Sequence, residues 1–380
     1  MSFDLKSLGI KLKRCREQLQ LTLKEVEEGT GILMSIVDSY EKGIVEPSGD
    51  EILIFSDFYK QDYLFFISNQ KLSASEEIDI LYRKHGGSFS KEDRWTIQEF
   101  LFLCEGEQFL WDELGFIPKT FSFTSSGTFF KGHGEQGAKS LRQHLGYRPN
   151  TIIQDIYYDL RNIGVHIFRR RLSNSNISGL FIKHPTAGKC ILVNYDEDIF
   201  RQNFTLAHEL GHSIFDSNDK INISFLNDGK DNNLIEIRAN TFASNFLISK
   251  EAIRDLNISH WNEDVILRLA NQFKTNILPL LISLKEGKFI GQSQYDSYSK
   301  LKIPITDKLD SELNFSFGKL KEAKSKLLEK GLSTFYVNKC FECYVKGFIS
   351  ERRFAELLLT NEFELPFILE MFSLKLNHGN

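Results

Sequence analysis

Hydrophobic positions in the first 120 residues recur at the spacing of amphipathic helices. The pattern predicts helices over 7–20, 22–31, 33–43, 48–61, 75–85 and 95–116. Thr22 followed by Glu25 is the pattern of a capping box, which places the start of the second helix. Gly31 comes directly after that helix, where a left-handed residue allows a sharp turn into the next helix. Helix, glycine turn and helix together indicate a helix-turn-helix arrangement.

Between residues 138 and 249 the pattern changes from helical to alternating and back again. It predicts helices over 138–146 and 152–164, strands over 165–172, 178–184 and 189–195, and helices over 200–215 and 234–249. These elements together predict a small sheet backed by helices, which is an α+β domain. The stretch 119–137 is rich in Ser, Thr and Gly and predicts a linker. The polar stretch 216–233 predicts a surface loop.

From about residue 303 to the end the pattern is helical only. A chain of 380 residues exceeds what one hydrophobic core usually serves, so we expect several domains. We divide the chain into a helix-turn-helix unit at 1–70, a helical connector and linker at 71–130, an α+β domain at 131–300 and a helical module at 301–380. The predicted fold class is therefore multidomain and mainly α, with a small sheet in the central domain.

Composition excludes several classes of protein. The 33 phenylalanines are dispersed and never form an apolar run long enough to cross a bilayer. The N-terminus breaks its apolar residues with Lys and Arg, unlike a signal peptide, so we expect a cytoplasmic protein. Five irregularly spaced cysteines predict reduced thiols and no disulfide framework. The net charge of −4 gives the chain no overall attraction for nucleic acid.

The stretch "FTLAHELGHSIFD", residues 204–216, carries candidate metal chemistry. Residues four apart lie on one face of a helix, so His208 and His212 can direct both imidazoles at one point. Zinc accepts such nitrogens, and Glu209 then lies where a general base is needed for hydrolysis. The alternative is that both histidines are only polar residues on a half-buried helix.

A catalytic zinc site needs a third protein ligand. Glu236 is the best candidate, because it begins the amphipathic segment "EIRANTFASNFL" and shares a helix face with Asn240. We expect Asn240 to accept a hydrogen bond from the distal ring nitrogen of a ligand histidine and so fix its orientation. Asp216, one turn beyond His212, is equally consistent with such a supporting role and with a solvent-facing position at the helix end.

The segment "RQNFTLAHELGH", preceded by "GLFIKH" and "CILVNY" and followed by "EIRANTFA", closely resembles the ImmA/IrrE family of zinc metallopeptidases. The resemblance covers about residues 133–290 and implies a zincin-like, gluzincin-type peptidase domain. It implies that His208, His212 and Glu236 hold Zn²⁺ and that Glu209 is the general base. It also implies a substrate that is a single regulatory protein, such as a repressor or an antitoxin-like regulator.

The sequence departs from that family at the end of the domain. Many relatives have an Arg-Leu pair there, whereas this chain has Ser283 before Leu284. If the arginine helps to hold substrate, its absence lowers the expected efficiency. The residue that stabilises the oxyanion is not identified by the sequence. His260, Arg254 and Tyr195 are candidates, each more consistent with an ordinary surface or packing residue.

Residues 9–66 resemble the XRE (Cro-like) helix-turn-helix family in length, in the T-G-I turn and in the E-x-G-x-x-x-P ending, which implies DNA binding and transcription control. Lys11, Lys13, Arg14 and Arg16 on the first helix are candidate phosphate contacts, although such a run of charge is also typical of a solvated helix face. Ser35 and Ser39 lie on the recognition helix. That helix has none of the usual base-reading side chains. Residues 1–70 contain 8 Lys and Arg against 12 Asp and Glu. The apolar side chains of this helix, Leu33, Met34 and Ile36, suit instead the docking of another helix-turn-helix protein.

The sequence thus predicts a cytoplasmic regulatory zinc endopeptidase, a hydrolase of a partner regulator, with possible coupling to DNA and no membrane partner. The first alternative is a transcription factor whose zincin-like domain senses a ligand or stress without proteolysis. The second is a catalytically silent scaffold. Cys340 and Cys343 have the spacing of half a zinc knuckle, but no second pair completes it, so we expect them in a helix core. Their segment is similar to the helical tail that follows the peptidase in many XRE/ImmA-type proteins.

Overall fold

A computed structural model describes residues 4–68, 82, 87, 89–125, 127–216, 221–225, 234–313 and 318–376. The helices are α1 Leu5–Gln18, α2 Leu23–Thr30, α3 Met34–Glu41, α4 Gly49–Tyr59, α5 Tyr63–Ile67, α6 Lys91–Glu113, α7 Phe130–His144, α8 Ile156–Arg161, α9 Ile199–Phe215, α10 Leu234–Leu247, α11 Lys250–Asp255, α12 Glu263–Gln272, α13 Ile277–Glu286, α14 Gln292–Tyr298, α15 Gly318–Glu329, α16 Thr334–Val345, α17 Glu351–Leu357 and α18 Leu365–Met371. The strands are β1 Val165–Arg170, β2 Ile177–His184, β3 Gly188–Asn194 and β4 Ile221–Phe225. Within these ranges, no helix has both the length and the apolar character that crossing a membrane requires.

The first five helices pack around a small core of their own, with Val26, Val37 and Phe55 fully buried. The predicted capping box is present, since Thr22 accepts from the Glu25 amide and the Glu25 carboxylate accepts from the Thr22 amide. Gly31 ends α2 with φ of 75°, as the sequence predicts. The four predicted helices of this region are therefore confirmed. The predicted helix over 75–85 lies almost wholly outside the described residues.

The central sheet has four strands in the order β1-β3-β2-β4. β1 runs parallel to β3, whereas β2 is antiparallel to both β3 and β4. The three predicted strands are confirmed. The fourth, β4, corrects the prediction of a loop over 216–233. Its five residues, INISF, alternate apolar with polar as a strand does and pair with β2, but the polar residues on both sides hide this short pattern.

Both faces of the sheet are covered. Val165, Ile167 and Ile191 contribute to a core shared with α7, α9, α10 and the helices up to α14. The alternate positions, such as Phe168 and Cys190, contribute to a second core shared with α6 and with the helices after residue 318. The C-terminal helices therefore cover one face of the sheet. The second core crosses the predicted boundaries at residues 130 and 300.

The five cysteines are free and buried. Cys340 and Cys343 both belong to the second core, on the inward face of α16. The expectation of helix-core cysteines is confirmed, and no feature of the described residues places a second pair beside them.

The predicted linker over 119–137 is half wrong, because α7 begins at Phe130. Its glycines, which read as flexible in the sequence, allow two helices to approach closely. A Cβ atom on Gly134 would lie 2.6 Å from the carbonyl oxygen of Arg238 on α10, and one on Gly137 would lie 2.5 Å from the ring of Phe215. These glycines are packing residues, a use that composition alone does not reveal.

Glu107 on α6 holds this helix to the sheet through a buried ionic network. Its carboxylate contacts Arg161 at 3.2 Å and His166 at 2.7 Å, and all three side chains are almost fully buried. The ring of Trp111 stacks on His166 at 4.2 Å. Removal of one partner from a buried pair leaves an uncompensated charge. The stability of the fold is therefore sensitive to substitution in this network.

We expect Glu107→Ala to lower the free energy of unfolding by about 3–5 kcal/mol, because Arg161 stays buried without its carboxylate. Urea unfolding followed by tryptophan fluorescence measures this loss, since Trp111 lies within the network. Glu105→Ala is the matched control: it is on the same helix and pairs with His184 at 3.0 Å, but its side chain is about one-third exposed. Equal losses for the two variants would contradict the assignment of the energy to burial.

Candidate metal centre

The helix α9 that carries the two motif histidines is fixed closely against its neighbours. Asp198 caps its N-terminus by accepting from the amides of Phe200 and Arg201. Gly179 of β2 permits the close approach of α9 to the sheet, because a Cβ atom there would lie 2.7 Å from Thr205. On the other side Gly211 permits the close crossing of α10, with a Cβ position 3.3 Å from the Cα of Ala239. The histidines are therefore held between the sheet and α10.

His208, His212 and Glu236 converge, so the structure brings together the three side chains that the sequence singles out. The Nε2 atoms of the two histidines are 3.0 Å apart. The two carboxylate oxygens of Glu236 lie 3.3 Å from His208 Nε2 and 3.4 Å from His212 Nε2. The group has one ligand atom from each residue within a span of 4.8 Å.

The other ring nitrogen of each histidine is also engaged. His208 Nδ1 donates to Asn240 Oδ1 at 3.0 Å, which is the contact expected of Asn240. His212 Nδ1 donates to Asp216 Oδ2 at 3.0 Å, so Asp216 takes the supporting position and not the solvent-facing one. Because oxygen acceptors hold both Nδ1 protons, each ring in its neutral form directs the lone pair of Nε2 at the centre of the group.

This donor set fits a divalent zinc ion. Two imidazole nitrogens and a carboxylate lie so close together that the group requires a positive charge, which either a protonated ring or a bound cation supplies. Tetrahedral ligands at about 2.0–2.1 Å from zinc are about 3.3 Å apart, close to the separations in this group. The side chain of Glu236 is 32% exposed, so the group is open to solvent on the Glu236 side. Three protein ligands with an open side are typical of catalytic zinc sites.

Glu209 lies next to this group and is fully buried. A Cβ atom on Gly179 would lie 3.4 Å from Glu209 Cγ, so the glycine in β2 leaves room for this side chain between α9 and the sheet. The carboxylate acts on His212 electrostatically and favours its protonated form. The structure therefore places a second carboxylate beside the histidines in addition to Glu236.

The charges in the group shift the pKa values of His212 and Glu236. Burial opposes a charge on His212, yet the hydrogen bonds to Asp216 and Glu236 and the nearby Glu209 outweigh burial and raise its pKa to about 9. Burial also opposes a charge on Glu236, but hydrogen bonds to both histidines hold the pKa of this carboxyl well below its usual range. In the metal-free protein at neutral pH, His212 is therefore protonated and Glu236 is ionised.

Zinc binding is consequently expected to release a proton from His212, because only the neutral ring can bind the metal. About one proton is released near pH 7.5, and the number falls to about one half at pH 9, where half of His212 is already neutral. Calorimetric titration with Zn²⁺ in buffers that differ in ionisation heat measures the number directly. Release of no proton at pH 7.5 would contradict the charge state that the contacts assign to His212.

The three candidates for oxyanion stabilisation have no contact with the metal group among those that the structure describes. The Tyr195 hydroxyl lies 3.3 Å from Ser325, and Arg254 pairs with Glu251 on α11. His260 is exposed between α11 and α12. Ser283 is buried within α13. The contacts of the described residues thus bring none of these side chains to the metal group.

The candidate DNA contacts include one that the structure excludes. Lys11 is buried, and its ammonium group donates to the carbonyl oxygens of Phe65 and Ser68, so it is a structural anchor and cannot contact phosphates. Lys13 is exposed and lies 3.8 Å from Glu17.

The remaining candidates stay predictions. Arg14 is half-buried, Ser35 is exposed, and the Ser39 hydroxyl donates to the Ser35 carbonyl oxygen at 2.9 Å. Leu33, Met34 and Ile36 are exposed, as a docking role requires.

Arg238 is a residue of the site that the sequence analysis missed. Its guanidinium donates to Asp216, the partner of His212. Arg238 lies two residues after Glu236, on another side of the helix, so helical spacing does not connect it with the metal group. The packing of α9 against α10 brings Arg238 and Asp216 together.

Comparison with known families gives one match. Residues 160–277 match the IrrE N-terminal-like domain of the M78 peptidases, from the end of α8 to the start of α13. No curated protein and no solved structure matches the chain. The matched range contains the whole sheet together with His208, His212 and Glu236. Residues 160–277 are therefore an IrrE N-terminal-like domain, and its two central helices carry a group that could hold a metal ion.

Proposed function

We propose that this protein is a zinc-dependent endopeptidase that hydrolyses a peptide bond in a partner regulatory protein. One observation carries the proposal: two imidazole Nε2 atoms and the Glu236 carboxylate converge within 3.0–3.4 Å of one another, with the buried Glu209 beside them. The match of residues 160–277 to a peptidase family supports the same chemistry.

In this proposal His208, His212 and Glu236 hold the metal, and Asn240 and Asp216 keep the two imidazoles in the required tautomer. Bound zinc would supply Lewis-acid chemistry, which polarises the scissile carbonyl and acidifies water. Glu209 accepts a proton from the attacking water and returns it to the amine that leaves, so the carboxylate is regenerated in each cycle. Its burial strengthens its interaction with the charges that develop nearby.

The N-terminal helices are proposed to recruit the substrate as a protein-docking unit. The exposed side chains of Leu33, Met34 and Ile36 form an apolar surface at the start of α3. The unit carries more acidic than basic residues, and Lys11 is withdrawn into its interior. Apolar exposure with weak phosphate attraction favours a helical protein partner, such as a repressor of related fold, over duplex DNA.

A trapping experiment tests the proposed function in the host cell. Glu209→Gln retains the metal group but lacks the general base, so we expect it to co-purify with uncleaved partner that the wild-type protein releases as fragments. Ile36→Asp in the same background should lose the partner, because a charge replaces an apolar contact. Identical partner profiles for wild type and Glu209→Gln would contradict proteolysis. Salt-sensitive binding to duplex DNA, with no protein partner, would support the transcription-factor alternative.

A further inference from the structure

Arg238 connects three helices at the edge of the metal group. Its side chain is 8% exposed, and one guanidinium nitrogen donates to Asp216 Oδ1. The second oxygen of the same carboxylate, Oδ2, accepts from His212 Nδ1 at 3.0 Å. The two carboxylate oxygens thus have separate partners, and a continuous line of contacts runs from Arg238 through Asp216 to the imidazole.

Two phenylalanine rings fix the guanidinium in place. Its central carbon lies 4.9 Å from the ring centre of Phe130, the first residue of α7, and 4.9 Å from that of Phe215, the last residue of α9. The Phe215 ring also packs edge-on against Phe242 at 5.8 Å. Gly137 leaves the space that Phe215 fills. A guanidinium between two rings keeps its orientation, which a flexible ammonium group does not.

The position of Asp216 explains why a cation is needed there. Asp216 caps the C-terminus of α9, with its amide donating to the His212 carbonyl oxygen at 2.9 Å. The C-terminus of a helix carries partial negative charge, so a carboxylate there is repelled by the helix. The side chain is also largely buried, at 11% exposed, which raises the cost of its charge further. Arg238 supplies the opposing charge at the place where the helix and burial both disfavour Asp216.

We propose that Arg238 is a positioning residue of the metal centre, which holds Asp216 against His212 and thereby fixes the imidazole toward the metal. Without Arg238, Asp216 turns away from the helix end toward solvent, and His212 loses the acceptor that sets its tautomer. The inference rests on the metal site of the proposed function but does not require peptide hydrolysis.

Zinc affinity of the full-length protein, measured by competition with a chelator, tests this role. We expect Arg238→Gln to weaken zinc binding by about 10–100-fold, the range seen when a residue that orients a metal ligand is lost. Asp216→Asn should weaken it by a similar factor. Because Arg238 acts through Asp216, the double variant should lose no more than either single variant. Arg238→Lys should recover part of the affinity, since the charge remains but the planar group does not.

The control separates this role from general support of the fold. Arg142 on α7 is also buried and also binds α10, through the Phe246 carbonyl oxygen at 2.7 Å, but it has no contact with Asp216 among those that the structure describes. Arg142→Gln should lower thermal stability without changing zinc affinity. The visible absorption spectrum of the Co²⁺-substituted protein should change in Arg238→Gln and stay unchanged in Arg142→Gln, because only the former alters the ligand geometry.

Each outcome has a distinct meaning. Wild-type protein that binds no zinc would overturn the proposed function and the role of Arg238 together. Wild-type protein that binds zinc, with Arg238→Gln within about twofold of it, would overturn only the role of Arg238. Losses in Arg238→Gln and Asp216→Asn that multiply in the double variant would show that the two residues act independently, which also contradicts the inference.

Discussion

Glu209→Gln is expected to lose peptide hydrolysis by about 10²–10⁴-fold while it keeps its full zinc content, because removal of a general base costs rate and not metal binding. The substitution preserves the size of the buried side chain and leaves His208, His212 and Glu236 in place. Single-turnover cleavage of the trapped partner, together with elemental analysis of the same preparation, measures both quantities. The combination of lost rate and retained metal separates Glu209 from the ligands.

Glu197→Gln is the matched control for this experiment. Glu197 is also a buried carboxylate at α9, where it accepts from the Thr205 hydroxyl at 3.2 Å, but it has no part in the metal group. Its replacement should leave the cleavage rate within about threefold of wild type, since it touches none of the reacting groups. A Glu209→Gln variant as active as Glu197→Gln would remove the general base from the proposal and leave the sensor or scaffold alternatives.

The metal group is the part of this protein that the sequence predicts best, for a physical reason. Residues four apart on a helix share a face, so His208 and His212 are related by local geometry alone. The same rule relates Glu236 to Asn240 on the second helix. The three residues converge when the polar faces of the two helices meet. The apolar positions around those faces favour this packing. Local periodicity and one long-range pairing are therefore enough to predict the three converging residues.

The features that the sequence did not predict depend on contacts between distant segments. The edge strand β4 pairs with β2, and its short alternating pattern, INISF, is hidden in the sequence by the polar residues on both sides. Gly134 and Gly137 read as a flexible linker, yet they let α7 pack against α10 and Phe215. Lys11 reads as a phosphate contact because its position in the sequence does not show that α5 covers it. In each of these cases the neighbouring residues in the sequence suggest one structure, and a contact between distant segments decides on another.

The position of the C-terminal helices likewise depends on contacts between distant segments. Their apolar residues predict helices but not their partner, and Tyr336 of α16 packs on Phe168 of β1 with ring centres 5.2 Å apart. The sheet is consequently buried on both faces, and the IrrE N-terminal-like domain has its second face covered by segments outside the matched residues. The predicted boundaries at 130 and 300 come from the sequence pattern, whereas the second core includes residues on both sides of each.

Glu236→Ala is expected to reduce zinc affinity by at least about 100-fold, more than the loss of any residue that only orients a ligand. The carboxylate contributes a ligand atom and also the negative charge that lies 3.3 Å from His208 and 3.4 Å from His212. Without it, two imidazoles alone face a divalent cation, and the group falls below the three protein ligands that a catalytic site uses. The purified variant should contain almost no zinc by elemental analysis.

The loss should also appear as a change in stability. A metal that binds only the folded state raises the melting temperature, so added Zn²⁺ should stabilise the wild-type protein and leave Glu236→Ala unchanged. Glu251→Ala is the control, because this carboxylate lies on α11, is about half exposed and pairs only weakly with Arg254 at 3.4 Å. Glu236→Ala with wild-type zinc content would mean that the Glu236 carboxylate is not a ligand. The peptidase proposal would then fail at its first requirement, because two histidines would remain without a third partner from α10.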